Sequence, residues 1–161
     1  MLPKIAELCK DQVQNQQLIE VFKRFTNDPS KWVKLATFQY LGAFIASYQG
    51  NEISSILIDY YLNMKDSNLD SGVQDNDHTF HCAFNFPAVL LTMGGENWLK
   101  LEPLYKDLIN DKRTKVRRTL SFSLHEIAKI LGPERTEVEL MPVLVRFLHD
   151  FSKHLIFCAP V

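Results

Sequence analysis

A chain of 161 residues, 46% hydrophobic and 23% charged, suits one globular domain with a substantial core. Eighteen basic residues against 19 acidic ones give a net charge of -1, so no global field draws it to nucleic acid or to an anionic membrane. Three scattered cysteines (Cys9, Cys82, Cys158) without a C-x-x-C pair argue against a zinc ribbon and a disulfide framework. The absent glycosylation sequon, signal peptide and bilayer-length apolar run point to a reduced, soluble, cytoplasmic setting, with the nucleus as a second compartment.

In chain order, residues 2–11 read as a helix lacking its beginning. Residues 14–26 and 31–48 form a helix pair, as do 52–65 with 78–93 and 97–110 with 115–131; residues 136–151 begin another. Each first helix carries apolar residues at i, i+3 and i+7, and each pair is joined by a turn. Aspartate in that turn is expected to cap the next helix. The second helices stop at Gly50, at Gly94-Gly95 and at Gly132-Pro133. Pro103 lies near enough to a helix start to be tolerated, whereas Pro87 is expected to kink its helix. Nothing alternates as a hairpin strand does, so the fold class is all-α.

The pairs repeat. Asn27-Asp28 recurs 83 positions later as Asn110-Asp111. Leu18, Val21 and Phe25 then fall on Leu101, Leu104 and Leu108, and Val33-Lys34 falls on Val116-Arg117. A shift of 39 places Leu101, Pro103, Leu104 and Leu108 on Leu140, Pro142, Val143 and Phe147. The longer shift is about two units of roughly 40 residues, within the HEAT/armadillo range. The expected architecture is an α-solenoid of three to four HEAT-like hairpins over residues 1–151. It comprises a half repeat (1–12), pairs at 13–50, 51–95 and 96–133, and a partial repeat (134–151). Residues 152–161 read as a divergent tail. The apolar character of both ends implies missing caps and a route to self-association.

Two blocks, "CAFNFPAVLLTMGGENW" (82–98) and "KVRRTLSFSLHEIAKILGPE" (115–134), resemble the HEAT repeats of the protein phosphatase 4 regulatory subunit 1 family. That family is related in architecture to the protein phosphatase 2A scaffold. The resemblance covers roughly residues 1–148 and weakens from about Met141. It makes the chain look like a truncated regulatory-subunit-1-like paralogue, or a fragment with an altered end. The resemblance implies no enzyme activity and no cofactor, the metals of the system belonging to the catalytic partner. It implies a regulatory or scaffold role toward a protein phosphatase 4-type serine/threonine phosphatase catalytic subunit, directing dephosphorylation of phosphoprotein substrates. The alternative is a generic helical-repeat interaction module without a phosphatase partner, or a degenerate product without function.

Several residues stand out as candidates. The knot Lys112, Arg113, Lys115, Arg117 and Arg118 sits where a second helix begins, and positive charge there opposes the helix dipole. Asp111 and acids of the adjoining repeat are expected to pair with Arg117, and Asp28 stands likewise beside Lys34. In related phosphatase scaffolds the ridge of such turns holds the catalytic subunit. The resemblance therefore nominates Asp28, Lys31, Trp32, Lys34, Asp111, Arg113, Lys115 and Arg117 as protein-binding residues. Trp32 and Trp98 both open helices and are expected to pack between repeats; an exposed Trp32 would instead suit a partner hot spot.

Residues 66–77 match part of a calcium loop but put Ser71 where the turn needs Gly and Asp77 where a bidentate Glu belongs, so a solvated acidic loop is the expectation. His78, His81 and Cys82 share one helix face but read as core packing rather than a metal site. "HEIAK" (125–129) lacks the second His of a zinc protease, and "MGGEN" (93–97) lacks the Lys of a phosphate loop.

Overall fold

The computed structural model describes residue 3 and residues 12–48, 53–64 and 78–157, the side chains of 12–15 and 150–157 excepted. Among the described residues all regular structure is helical. The helices are α1 (Gln12–Thr26), α2 (Lys31–Gln39), α3 (Leu41–Ala46), α4 (Ser55–Leu62), α5 (His78–Met93), α6 (Trp98–Ile109), α7 (Thr114–Phe122), α8 (Leu124–Arg135) and α9 (Met141–Phe157). A 3-10 turn (Gly95–Asn97) precedes α6 and a π-helical turn (Thr136–Leu140) precedes α9.

Two layers result. The second helices, α2–α3, α5 and α7–α8, lie side by side with α5 in the middle. They run parallel. Phe38 meets the His78 ring near the start of α5, and Gly42 meets Asn85 further along. On the other flank, Lys115 lies over Phe80 near the start of α5, while Arg135 donates to the Gly95 carbonyl beyond its end. The first helices cover this row. Phe22 of α1 packs on Phe44 and on Tyr60 of α4, and the Tyr61 hydroxyl donates to the Cys82 carbonyl at 2.7 Å. Trp98 and Tyr105 of α6 close on Phe86 of α5. Each ring so buried contributes roughly 1.5–3 kcal/mol relative to exposure. The stripe Leu101, Leu104 and Leu108 is buried, and so is Leu140, Val143 and Phe147, its counterpart 39 positions on.

Several expectations need correction. The spans 31–48 and 115–131 are not single helices; each breaks, at Tyr40 (φ -98°, ψ 2°) and at Ser123 (φ -95°, ψ 2°). Both residues sit in the sparsely allowed bridge region. The Ser123 hydroxyl donates to the Leu120 carbonyl, so the side chain competes for helix acceptors there. The fourth helix is shorter than 52–65, ending at Leu62, where Asn63 turns its amide back onto the Asp59 carbonyl. Pro87, expected to kink its helix, lies buried inside the α5 span, where packing on both flanks offsets one lost hydrogen bond. The last helix continues past residue 151 to Phe157, into the stretch read as a tail. Gly94 (φ 83°) ends α5 as expected, and Gly132 (φ 79°, ψ 174°) breaks the helical path within the α8 span, each at a positive φ that glycine tolerates. The helix at 2–11, Gly50, Cys9, Cys158 and the 66–77 loop lie outside the described residues.

Candidate partner-binding ridge

The turn between α1 and α2 and the turn between α6 and α7 are built alike. In both, Asn ends the first helix and returns its side-chain amide to the backbone. Asn27 donates to the Lys23 carbonyl at 2.9 Å, and Asn110 donates to the Lys106 carbonyl at 2.6 Å. The next residue is an aspartate whose Oδ1 accepts the backbone N–H two residues on. Ser30 donates to Asp28 at 2.7 Å, and Arg113 donates to Asp111 at 2.8 Å. Ser30 (φ -79°, ψ 119°) and Arg113 (φ -80°, ψ 117°) then occupy the N-cap position in the same extended conformation. The aspartates therefore fix the approach to the helix rather than capping it. A short polar side chain two residues before an N-cap favours this turn, which is why Asn-Asp recurs at this spacing.

The side chains of the second turn are tied locally. The Asp111 carboxylate is taken by Arg113, whose guanidinium reaches both oxygens at 2.8–2.9 Å. That pairing holds the Asp111 carboxyl below its ordinary value of 3.8, with further help from the Arg113 N–H and the Arg117 charge. Arg117, whose charge acts on Asp111 as expected, also donates to the backbone carbonyls of Asp111 (2.8 Å) and Lys112 (3.1 Å). It thus stitches the turn to the first turn of α7, and the carbonyls supply the compensation that the helix dipole does not. Lys115 stands 4.1 Å from the centroid of the Phe80 ring.

The first turn carries the same backbone but a different surface. Lys31 and Lys34 are half-buried at the start of α2, and the Lys34 N–H donates to the Ser30 carbonyl. Trp32, at the position of Lys115, is 75% exposed, whereas Trp98 is 1% exposed against Phe86 and Tyr105. Packing between repeats thus holds for Trp98 and fails for Trp32. Trp32 forms a wall of an open apolar groove of about 380 Å³, with Phe22, Phe25, Val33, Tyr40 and Phe44. All eight nominated residues lie on these two turns or in the first turn of the helix that follows.

The metal readings find core instead. His78 and Cys82 are buried, His78 edge-on to Phe38, and among the described residues no group of three His, Cys, Asp or Glu could hold a metal. Sequence periodicity also leaves unmarked three phenylalanines on the outer side of the second helices. Phe80 stacks with the exposed Phe84, and the exposed Phe122 lies near Arg118. Their i, i+4 spacing (80 with 84, 118 with 122) is the one signal that could have grouped them.

The family described as protein phosphatase 4 regulatory subunit 1 middle domain matches residues 82–156. Over 101 residues, 63% of this chain, the sequence is 42% identical to serine/threonine-protein phosphatase 4 regulatory subunit 1 from Homo sapiens. The proteins of that name from Mus musculus and Rattus norvegicus match equally. Residues 82–156 are thus similar to the middle domain of protein phosphatase 4 regulatory subunit 1. The chain spans about 10% of the length of these curated proteins. The family match reaches residue 156, past the point near Met141 where the resemblance was expected to fade. No solved structure matched the chain. Among the described residues no helix is long and apolar enough to cross a membrane.

Proposed function

We propose that this chain is a non-catalytic regulatory or scaffold module that associates with a protein phosphatase 4-type serine/threonine phosphatase catalytic subunit and brings phosphoprotein substrates to it. The observation that carries this is the match of residues 82–156 to the regulatory subunit 1 middle domain, together with 42% identity over 101 residues. The layered helix pairs, with turns of one design 83 positions apart, support a HEAT-like solenoid in which the turns line one ridge. The ridge would be the contact: Trp32 as apolar anchor, with Lys31, Lys34, Lys115 and the Asp111–Arg113 pair as its charged border. Its mechanism is positioning, which raises the local concentration of substrate at the catalytic centre without new chemistry.

Co-purification from cells of the chain and of Trp32→Ala tests this. A type 2A-like phosphatase should accompany the first and be depleted with the second. Trp32→Ala is a cleaner probe than Arg117→Glu, because Arg117 also holds its turn together. Failure to recover any such phosphatase at near-physiological salt would refute the proposal. A second reading is a helical-repeat interaction module without a phosphatase partner. It predicts a different stable partner in the same experiment.

A further inference from the structure

Within the second-helix layer the charge is uneven, the acids of the described helices there lying on α8 alone. Helices α2, α3, α5 and α7 contain five cations (Lys31, Lys34, Lys115, Arg117, Arg118) and no aspartate or glutamate. The described helical acids lie in the first helices (Glu20, Asp59, Glu102, Asp107) or from Glu126 onward. The same acid-free helices display rings. Phe84 is 64% exposed on α5 and Phe122 is 66% exposed on α7.

These groups form one face. Phe80 and Phe84 share a side of α5 and stack with centroids 6.4 Å apart. Lys115, Arg118 and Phe122 share a side of α7, and Arg118 lies 5.6 Å from the Phe122 centroid. The contact of Lys115 with Phe80 joins the two sides. The outcome is a patch of three rings and two cations across neighbouring parallel helices. Exposed rings of this size cost hydration free energy and mark interaction surfaces when they cluster.

We propose that the α5–α7 face, centred on Phe84, Arg118 and Phe122, binds an acidic, extended segment of a partner protein in which aspartate or glutamate alternates with leucine or aromatic residues. The occupant follows from complementarity. Among the described residues, α5 and α7 bring cations and no carboxylate to this face, which disfavours a basic segment and favours an acidic one. Apolar side chains of the segment would cover Phe84 and Phe122, and carboxylates would meet Arg118, whose planar guanidinium suits them. Aromatic and arginine side chains are also the groups that dominate interface energetics. This inference does not rest on the phosphatase reading, because the face lies beside the turn ridge and needs no catalytic subunit.

The test uses the full chain and fluorescein-labelled synthetic peptides, with binding followed by anisotropy. A peptide alternating glutamate with leucine should bind, and should weaken as salt rises. Phe84→Ala and Arg118→Glu should each weaken it about ten-fold, while Trp32→Ala leaves it unchanged. Arg118→Gln serves as the milder second variant, and far-ultraviolet circular dichroism checks that helix content is kept. The proposal is overturned if the peptide does not bind, or if these variants bind as well as the parent. It is equally overturned if a lysine–leucine peptide or a glutamate–serine peptide binds as well, or if a phosphoserine is required. Loss of phosphatase recovery with this binding intact would count against the ridge alone.

Discussion

The turns at Asn27–Ser30 and Asn110–Arg113 share a backbone and differ in what they present. Both use an asparagine amide and an aspartate carboxylate to fix the chain at the same φ and ψ. Yet one shows a tryptophan to solvent, and the other ties its charged groups to carbonyls, a carboxylate and a ring. The repeat thus specifies geometry through short polar residues and leaves the neighbouring positions open to function. The two tryptophans make the same point. Trp98 has α5 beside it and is buried, while Trp32 has solvent over most of its surface.

The difference between the tryptophans can be broken by substitution. Trp98→Ala should destabilise the chain by about 3–5 kcal/mol, since it removes a core ring packed on Phe86 and Tyr105; urea unfolding reads this directly. A loss no larger than that of Trp32→Ala would mean that Trp98 is not core. Next in size is Gly42→Ala. A Cβ there would lie 2.2 Å from the Asn85 Cβ, so α3 and α5 must part, at roughly 1–3 kcal/mol. Combining it with Asn85→Gly should recover part of that loss, and strict additivity would place the helices further apart than described.

The paired turns differ in their expected response to acid. The folded-state pKa of Asp111 is depressed by Arg113, so its stabilisation is present above the ordinary value of 3.8 and is lost as pH falls through the lower folded value. Arg113 is largely solvated, so the contribution is at most about 1 kcal/mol. Asp111→Asn should flatten the stability profile in that acid range only. A change confined to neutral pH would contradict the assignment. The smallest effect belongs to Trp32→Ala, within about 0.5 kcal/mol of the parent, because an exposed side chain contributes little to folding.

Much of this was legible beforehand. Apolar spacing gave the helix pairs because burial of one stripe dictates it, and Gly94 and Gly132 gave stops because few residues tolerate positive φ. The shared turn could be read from Asn-Asp alone. The breaks at Tyr40 and Ser123 could not, because each depends on how the second helix leans on its neighbour. Neither could the two carbonyls that Arg117 reaches, since the hydrogen bonds of a long guanidinium side chain depend on the path of the turn beneath it. Trp32 and Trp98 read alike in sequence because each opens a helix; only the neighbouring layer separates them. The Phe80–Phe84–Phe122 face was hidden for a similar reason, as rings at helical spacing usually point inward.

The most direct test of the ridge is fluorine NMR of the full chain carrying 5-fluorotryptophan, titrated with purified unlabelled phosphatase 4 catalytic subunit. The Trp32 resonance should shift or broaden as the complex forms, while the Trp98 resonance keeps its position. Complex formation that leaves Trp32 unchanged, or no complex at all, would contradict the account.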